Sequence, residues 1–228
     1  MKQYLLILII SSLILSCNQK EVQLPETNNG SITEVSDISP IYIFYDEDSG
    51  TAEFNRNNMI GTTNWLVNID KRLTVGQILE HLKYLQDKRG KDGMHKNELA
   101  RNYFSCSNPD IQNLSFIDFT DVIYHDEPIF EFMKSVPAKD SLSTRTFINF
   151  KNERLIDVGR NFAIEEISVS DFVESLKTIT SRDDLVDELY LNINADLTFQ
   201  DYIWIKTKLL ELTKDEQIIL ANDEFIYK

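Results

Sequence analysis

The sequence predicts an α+β fold of two small related domains, each a mixed β-sheet with one or two helices packed on it. Three observations lead there. The stretch "NIDKRLTVGQIL", Asn68 to Leu79, returns without gaps as "NINADLTFQDYI", Asn192 to Ile203, sharing Asn, Ile, Leu and Thr at the same places. Each copy joins the alternation of a half-buried strand to a helical stripe through a capping sequence. Short β-rich segments, including "FIDFTDVIYH" to His125 and "IILANDEFIYK" to Lys228, flank both copies and end alike in an acidic residue, an apolar one and Ile-Tyr.

Residues 1–16 are set aside as a signal peptide. Lys2 precedes an apolar run from Tyr4 to Leu15, too short for a bilayer span of about 20 residues and followed by Ser16 and Cys17 in the manner of a cleavage site. Residues 17–39 then hold Cys17 and a polar tether with Pro25 and no strand or helix periodicity; its flexible reach is on the order of 25 Å.

The first domain is expected over residues 40–134. "IYIFY" and "TAEFN" flank "DEDSG" as a hairpin, "WLVNID" is a strand, and Thr74 with Gln77 caps a helix carrying Val75, Ile78, Leu79, Leu82 and Leu85. No helix is expected between that hairpin and the strand. A basic insertion at 87–115 stands where a short return connection is expected, and such excursions are functional or disordered. The polar, Pro137-bearing stretch 135–145 reads as a linker. The second domain, 146–228, has a hairpin ("TFINF", "KNER", "LIDVG") and a helix from Asp171 with Phe172, Val173, Leu176 and Ile179. The strand "LYLNIN", a helix capped by Thr198 and Asp201 and a final strand complete it.

Composition narrows function. The formal charge of −14 becomes −15 once Lys2 leaves with the signal, and an acidic protein lacks the basic field that nucleic acid requires; no nucleic-acid partner is expected. Cys17 and Cys106 are the two cysteines; the lipoprotein resemblance given below implies that Cys17 is acylated, which leaves no internal disulfide. Three scattered histidines and one thiol make a poor zinc site, "DEDSG" lacks the later ligands of a calcium loop, and no glycine-rich phosphate loop is present. No cofactor and no metal is expected, and the chain is read as non-enzymatic. The enzymatic alternative is a thiol-imidazole pair of Cys106 with His95 or His125. A structural or immunity-type surface lipoprotein is a third reading.

Two resemblances add to these readings. "ILSC" resembles the lipobox of bacterial lipoproteins, which implies acylation of Cys17 and, with Asn18 rather than Asp after it, an outer-membrane location in the cell envelope. The order hairpin, helix, strand ending near Asp, aromatic-headed helix and final strand resembles the periplasmic domain of the ExbD/TolR family, accessory proteins of proton-driven energy transduction to the outer membrane. Asp70, Lys71, Gly76, Ile78 and Leu79 fall on that family's motif spacing, with Val75 at its tyrosine; in the second copy Asn194 replaces the aspartate and Phe199 takes the aromatic place. That family's transmembrane helix and its aspartate have no counterpart here, so proton coupling does not carry over. The resemblance implies an accessory binding or assembly component with an envelope protein partner or self-association, engaged by strand pairing.

One binding patch is expected on charge alone. From Lys83 to Arg101 six basic residues face three acidic ones. Lys88, Arg89, Lys91, Lys96 and Arg101 are its candidate residues, suited to anionic lipid or an acidic partner.

Overall fold

The computed structural model describes residues 20–28, 32–91, 97–135, 143–160, 163–180, 186–213 and 218–228. Cys17 lies outside them; of the linker expected over 135–145, Ser135 ends a helix and 143–145 begin a strand, while 136–142 lie outside the described residues. The fold is α+β, with two mixed sheets and, among the described residues, four α-helices.

The first sheet runs β2-β1-β3-β4-β5. Strands β1 (Ile38–Tyr45) and β2 (Ala52–Asn55) form the expected hairpin, turned by Asp46, whose Oδ1 accepts the N–H groups of Asp48 and Ser49, and by Gly50 at φ +66°. Strand β3 (Asn64–Ile69) lies parallel to β1 and leads into α1 (Val75–Gly90). The capping box forms as expected: Thr74 Oγ1 accepts from Gln77 N–H, and Gln77 Oε1 from Thr74 N–H. Such a cap is worth about 1 kcal/mol. Val75, Ile78, Leu79, Leu82 and Leu85 are the buried stripe.

After α1 the sequence reading fails. The expected insertion at 87–115 contains β4 (Asn102–Asn108) and the start of β5 (Asn113–Asp118), an antiparallel pair that completes the sheet. Only 91–101 connects. The strand "NYFSCSN" escaped notice because Phe104 and Cys106 stand among Asn102, Ser105, Ser107 and Asn108, amide and hydroxyl side chains that a loop also favours.

The second sheet runs β6-β11-β10-β7-β8-β9. Strands β7 (Ser143–Phe150) and β8 (Leu155–Arg160) form the second hairpin, and β9 (Ala163–Ser168), which the alternation rule did not isolate, adds to its edge. Helix α3 (Phe172–Thr180) follows a 3₁₀ turn capped by Ser168, and then β10 (Val186–Asn194), α4 (Phe199–Leu212) and β11 (Ile218–Tyr227) repeat the strand-helix-strand unit. Strand β6 (Ile123–His125), from the first half of the chain, pairs parallel to β11. Helix α2 (Ile129–Ser135) places Ile129 in a small cluster with Tyr190, Ala221 and Phe225.

The two copies share one connectivity: hairpin, parallel strand, helix, parallel strand. The return strand matching β11 is β4, not the segment ending in Tyr124, because β3 pairs with β4 while β10 pairs with β11. The similar endings at Tyr124 and Tyr227 are neighbours in one sheet rather than equivalents.

The copies face each other about Thr74 and Thr198, which form an isolated antiparallel bridge. Val75 N–H donates to Leu197 C=O at 2.8 Å, and the symmetric bond runs from Phe199 N–H to Leu73 C=O at 2.7 Å. Outside these, Gly76 N–H reaches Ala195 C=O at 2.8 Å and Gln200 N–H reaches Lys71 C=O at 3.3 Å. A Cβ on Gly76 would lie 2.9 Å from that of Ala195, so the first copy needs glycine there. One core joins the halves: Phe104 stacks on Phe119 with centroids 3.8 Å apart and meets Phe199 of α4 edge-on at 5.2 Å.

The tether also differs from expectation. Residues 20–28 run docked across the corners: Gln23 N–H donates to Asp70 Oδ2, Lys71 N–H to Gln23 C=O, Thr27 N–H to Ser107 C=O and Ser107 N–H to Pro25 C=O. Glu26 N–H donates to Gln200 Oε1 and Glu26 C=O accepts from Gln200 Nε2, so an amide side chain of the second copy acts as a strand partner for the arm. Ile32 bridges to Phe116 on the outer edge of β5, its C=O accepting from Phe116 N–H at 2.8 Å. Polarity misled the reading, since these polar residues are spent on fixed backbone partners.

Candidate functional site

Adjacent strands β1 and β3, and likewise β7 and β10, send their carboxyl-end loops in opposite directions, one into a hairpin turn and the other into a helix. Crevices at such ends are where mixed and parallel sheets place ligands. The chain therefore carries two equivalent crevices, and they differ.

The first is filled from within. Its corner residue Arg72 lays its guanidinium 4.5 Å from the centre of the Tyr45 ring, pairs with Glu47 at 2.5 Å and forks onto Asp70 through Nε and a terminal nitrogen, both at 2.9 Å. The β1–β2 turn folds over the start of α1, where Gly50 C=O accepts from Gln77 Nε2 at 2.7 Å. Asp70 is fully enclosed. Burial works to raise its carboxyl pKa, but hydrogen bonds from Arg72 and from Gln23 N–H outweigh burial and hold it below the ordinary value.

The second is open, with a cleft of about 600 Å³. The β7–β8 turn is shorter and folds on itself, Asn152 Oδ1 accepting the N–H groups of Arg154 and Leu155. At the place of Arg72 stands Asp196, exposed, and at the place of Gln77 stands Asp201, whose Oδ2 caps Thr198. Lys151 and Arg154 also line the cleft. Lys151 is held by Asp157 at 2.8 Å and Glu166 at 2.9 Å, and Arg154 lies 3.6 Å from Glu153. A smaller adjoining cavity of about 230 Å³ shares Leu197 and Asp201 and adds Phe150, Val169, Trp204 and Ile205. Sequence reasoning did not single out Trp204, Asp196 or Asp201 as site residues. Subtracting one copy of the repeat from the other reveals them, because Arg72 and Asp196 are opposite in charge at one position.

The expected basic patch is dispersed. Lys88 and Lys91 are exposed, and Lys96 and His95 lie outside the described residues. Arg89 is structural: its guanidinium sits 3.7 Å over Trp65, bonds Asn102 Oδ1 at 2.8 and 2.9 Å and donates to the carbonyls of Gly61 and Thr63. Burial lowers its pKa to about 10. Arg101 is paired with Asp118 and Asp121.

The Cys106–His125 pair of the alternative reading does not assemble, and His95, its other candidate partner, lies outside the described residues. Cys106 is enclosed in the core, and burial pushes its thiol up to about 12, the reverse of an activated nucleophile. His125 is bonded to Asp223 at 2.7 Å and stacks on Phe225 beside α2, in a different cluster. A further buried polar group joins the halves: Tyr124 and Tyr202 hydroxyls lie 3.1 Å apart, Tyr202 donates to Glu224 at 2.7 Å, and Glu224 pairs with Lys206.

Among the described residues no three His, Cys, Asp or Glu side chains converge as metal ligands, and no helix is long and apolar enough to cross a membrane. Compared with family models, curated proteins and solved structures, the chain matches none.

Proposed function

We propose that this chain is a lipid-anchored, non-enzymatic binding component of the bacterial cell envelope, accessory to an ExbD/TolR-type transport system. The observation that carries the binding role is the asymmetry of the two crevices: one copy closes its crevice with its own Arg72, and the other leaves the equivalent space open beside Asp196 and Asp201. A duplicated unit whose second crevice is open and whose first is spent on the fold suits a binding protein with one working site. Only Asn18 and Gln19 separate the proposed acylated Cys17 from the docked arm at Lys20, a spacing that keeps the body within about 10 Å of the anchor.

Cells fed labelled palmitate test the anchor. The full chain is expected to carry label and sediment with membranes, and Cys17→Ala to lose the label and remain as an uncleaved precursor or appear soluble; label retained by the variant contradicts the anchor. The binding role further predicts that Cys106→Ser leaves any envelope phenotype unchanged, whereas an enzyme built on that thiol loses it.

A further inference from the structure

We propose that the N-terminal arm is an exchangeable strand: the seat that residues 23–27 fill beside β3 and β4 also accepts the same segment from a second copy of this chain, so that neighbouring chains join by trading arms. This goes beyond the cleft, and it takes from the proposed anchor only the crowding of chains in one membrane.

The repeat defines the seat. In the second copy β11 stays paired with β10 as far as Asn194 and Tyr227, and Ala195 N–H closes the corner on Tyr227 C=O at 2.7 Å. In the first copy the pairing of β3 with β4 stops at Val67 and Phe104. The arm fills the rest. Lys71, which the repeat aligns with Ala195, gives its N–H to Gln23 C=O, also at 2.7 Å. Glu26 bridges Ser107 in parallel, with Ser107 N–H donating to Pro25 C=O at 2.8 Å and Thr27 N–H to Ser107 C=O at 3.0 Å. The third parallel strand that β11 makes alone is therefore shared in the first copy between β4 and a segment remote from it in sequence.

Two features make the occupant exchangeable. First, the arm is held through its backbone: besides the bonds above, Gln23 N–H donates to Asp70 Oδ2, and both backbone groups of Glu26 pair with the Gln200 amide. Within 20–28 Pro25 and Thr27 are buried, Val22 and Leu24 half-buried, and the rest exposed. So little apolar burial lets the arm open at a lower free energy than the strands it joins. Second, an identical arm from a neighbour restores every one of these bonds. Exchange then needs no new surface, and its extent follows the local concentration of chains.

The test uses two differently tagged full chains in the same cells, Glu26→Cys in one and Lys71→Cys in the other, with membranes treated by a short bis-maleimide. Glu26 Oε1 and Lys71 Nζ lie 2.7 Å apart and both side chains are partly exposed, so the substitutions cost little and the thiols come within linker reach when an arm is seated. Cys106 is buried away from the reagent. A 26–71 link between the two tags, read by peptide mapping, is expected at several times the yield of a Glu26→Cys with Lys88→Cys pair, since Lys88 stands in the last turn of α1 and reports collision. Thr27→Pro added to the Glu26→Cys chain removes the N–H given to Ser107 and should bring the yield down to that control. A single chain with both cysteines should link internally. An internal link without an interchain one, an interchain link no stronger than the collision control, or one that Thr27→Pro leaves intact overturns the proposal. Palmitate labelling of the same chains reads the anchor separately, so failure of the link leaves that reading to its own test.

Discussion

Arg89 shows what a charge count misses. Its sequence neighbourhood marks it as one of a basic cluster, yet its guanidinium lies over Trp65 and ties the last turn of α1 to Gly61, Thr63 and Asn102. Arg89→Glu places a carboxylate against two carbonyls and is expected to cost about 3 kcal/mol, in the range for breaking a buried charged network. Lys88→Glu with Lys91→Glu, both at exposed positions, should change stability by no more than about 0.5 kcal/mol. Urea denaturation of the two variants separates these roles, and binding to anionic vesicles by the lysine variant tests what remains of the patch. Arg72 was equally opaque, because nothing in "DKRL" says that the arginine turns back onto the aspartate two residues before it. Asp70 in turn predicts a pH dependence. Its folded pKa is lowered, so its contribution is fully present above the unfolded value of about 4 and is lost as pH falls through the folded one. The protection of the Gln23 amide against exchange, taken relative to its intrinsic rate at each pH, should therefore fall in acid, and Asp70→Asn should flatten that dependence.

At the scale of elements the repeat was legible wherever chemistry is local. The hairpins, the strands before the capping boxes and the stripes of α1 and α4 follow from alternation, turn residues and 3.6-residue spacing. The return strand β4 was not, since its identity depends on which neighbour completes the sheet. The register exposes a swap inside the repeat: Leu82 and Phe104 in the first copy occupy the places of Lys206 and Glu224 in the second, an apolar pair exchanged for a buried ion pair. Removing one partner strands the other charge. Lys206→Met is expected to destabilise by about 3–5 kcal/mol, and Lys206→Leu with Glu224→Leu to recover at least half of that. Thermal unfolding of both variants checks the account; a double variant less stable than the single would show that the ion pair is itself the stabilising element.

At the scale of the molecule, the sequence announced two units but not how they meet. The contact is made by backbone groups of Leu73, Val75, Leu197 and Phe199, and backbone pairing between distant segments leaves almost no compositional trace. Gly76 is the exception, a glycine at the first turn of a helix kept by the approach of Ala195. The arm was misread for the same reason: its partners Ser107 and Gln200 are far away in sequence. The open cleft sits just outside this junction, on Asp196 and Thr198, so the pairing that joins the copies also fixes the site.

Native-state hydrogen exchange of the Val75 and Phe199 amides tests the pairing of the two copies most directly. The account predicts that these amides, together with that of Gly76, exchange as slowly as the strand amides of β3 and β10 and open in the same global step. Fast exchange at Val75 and Phe199 while β3 and β10 stay protected would contradict it, because the two copies would then be folded units that do not hold each other.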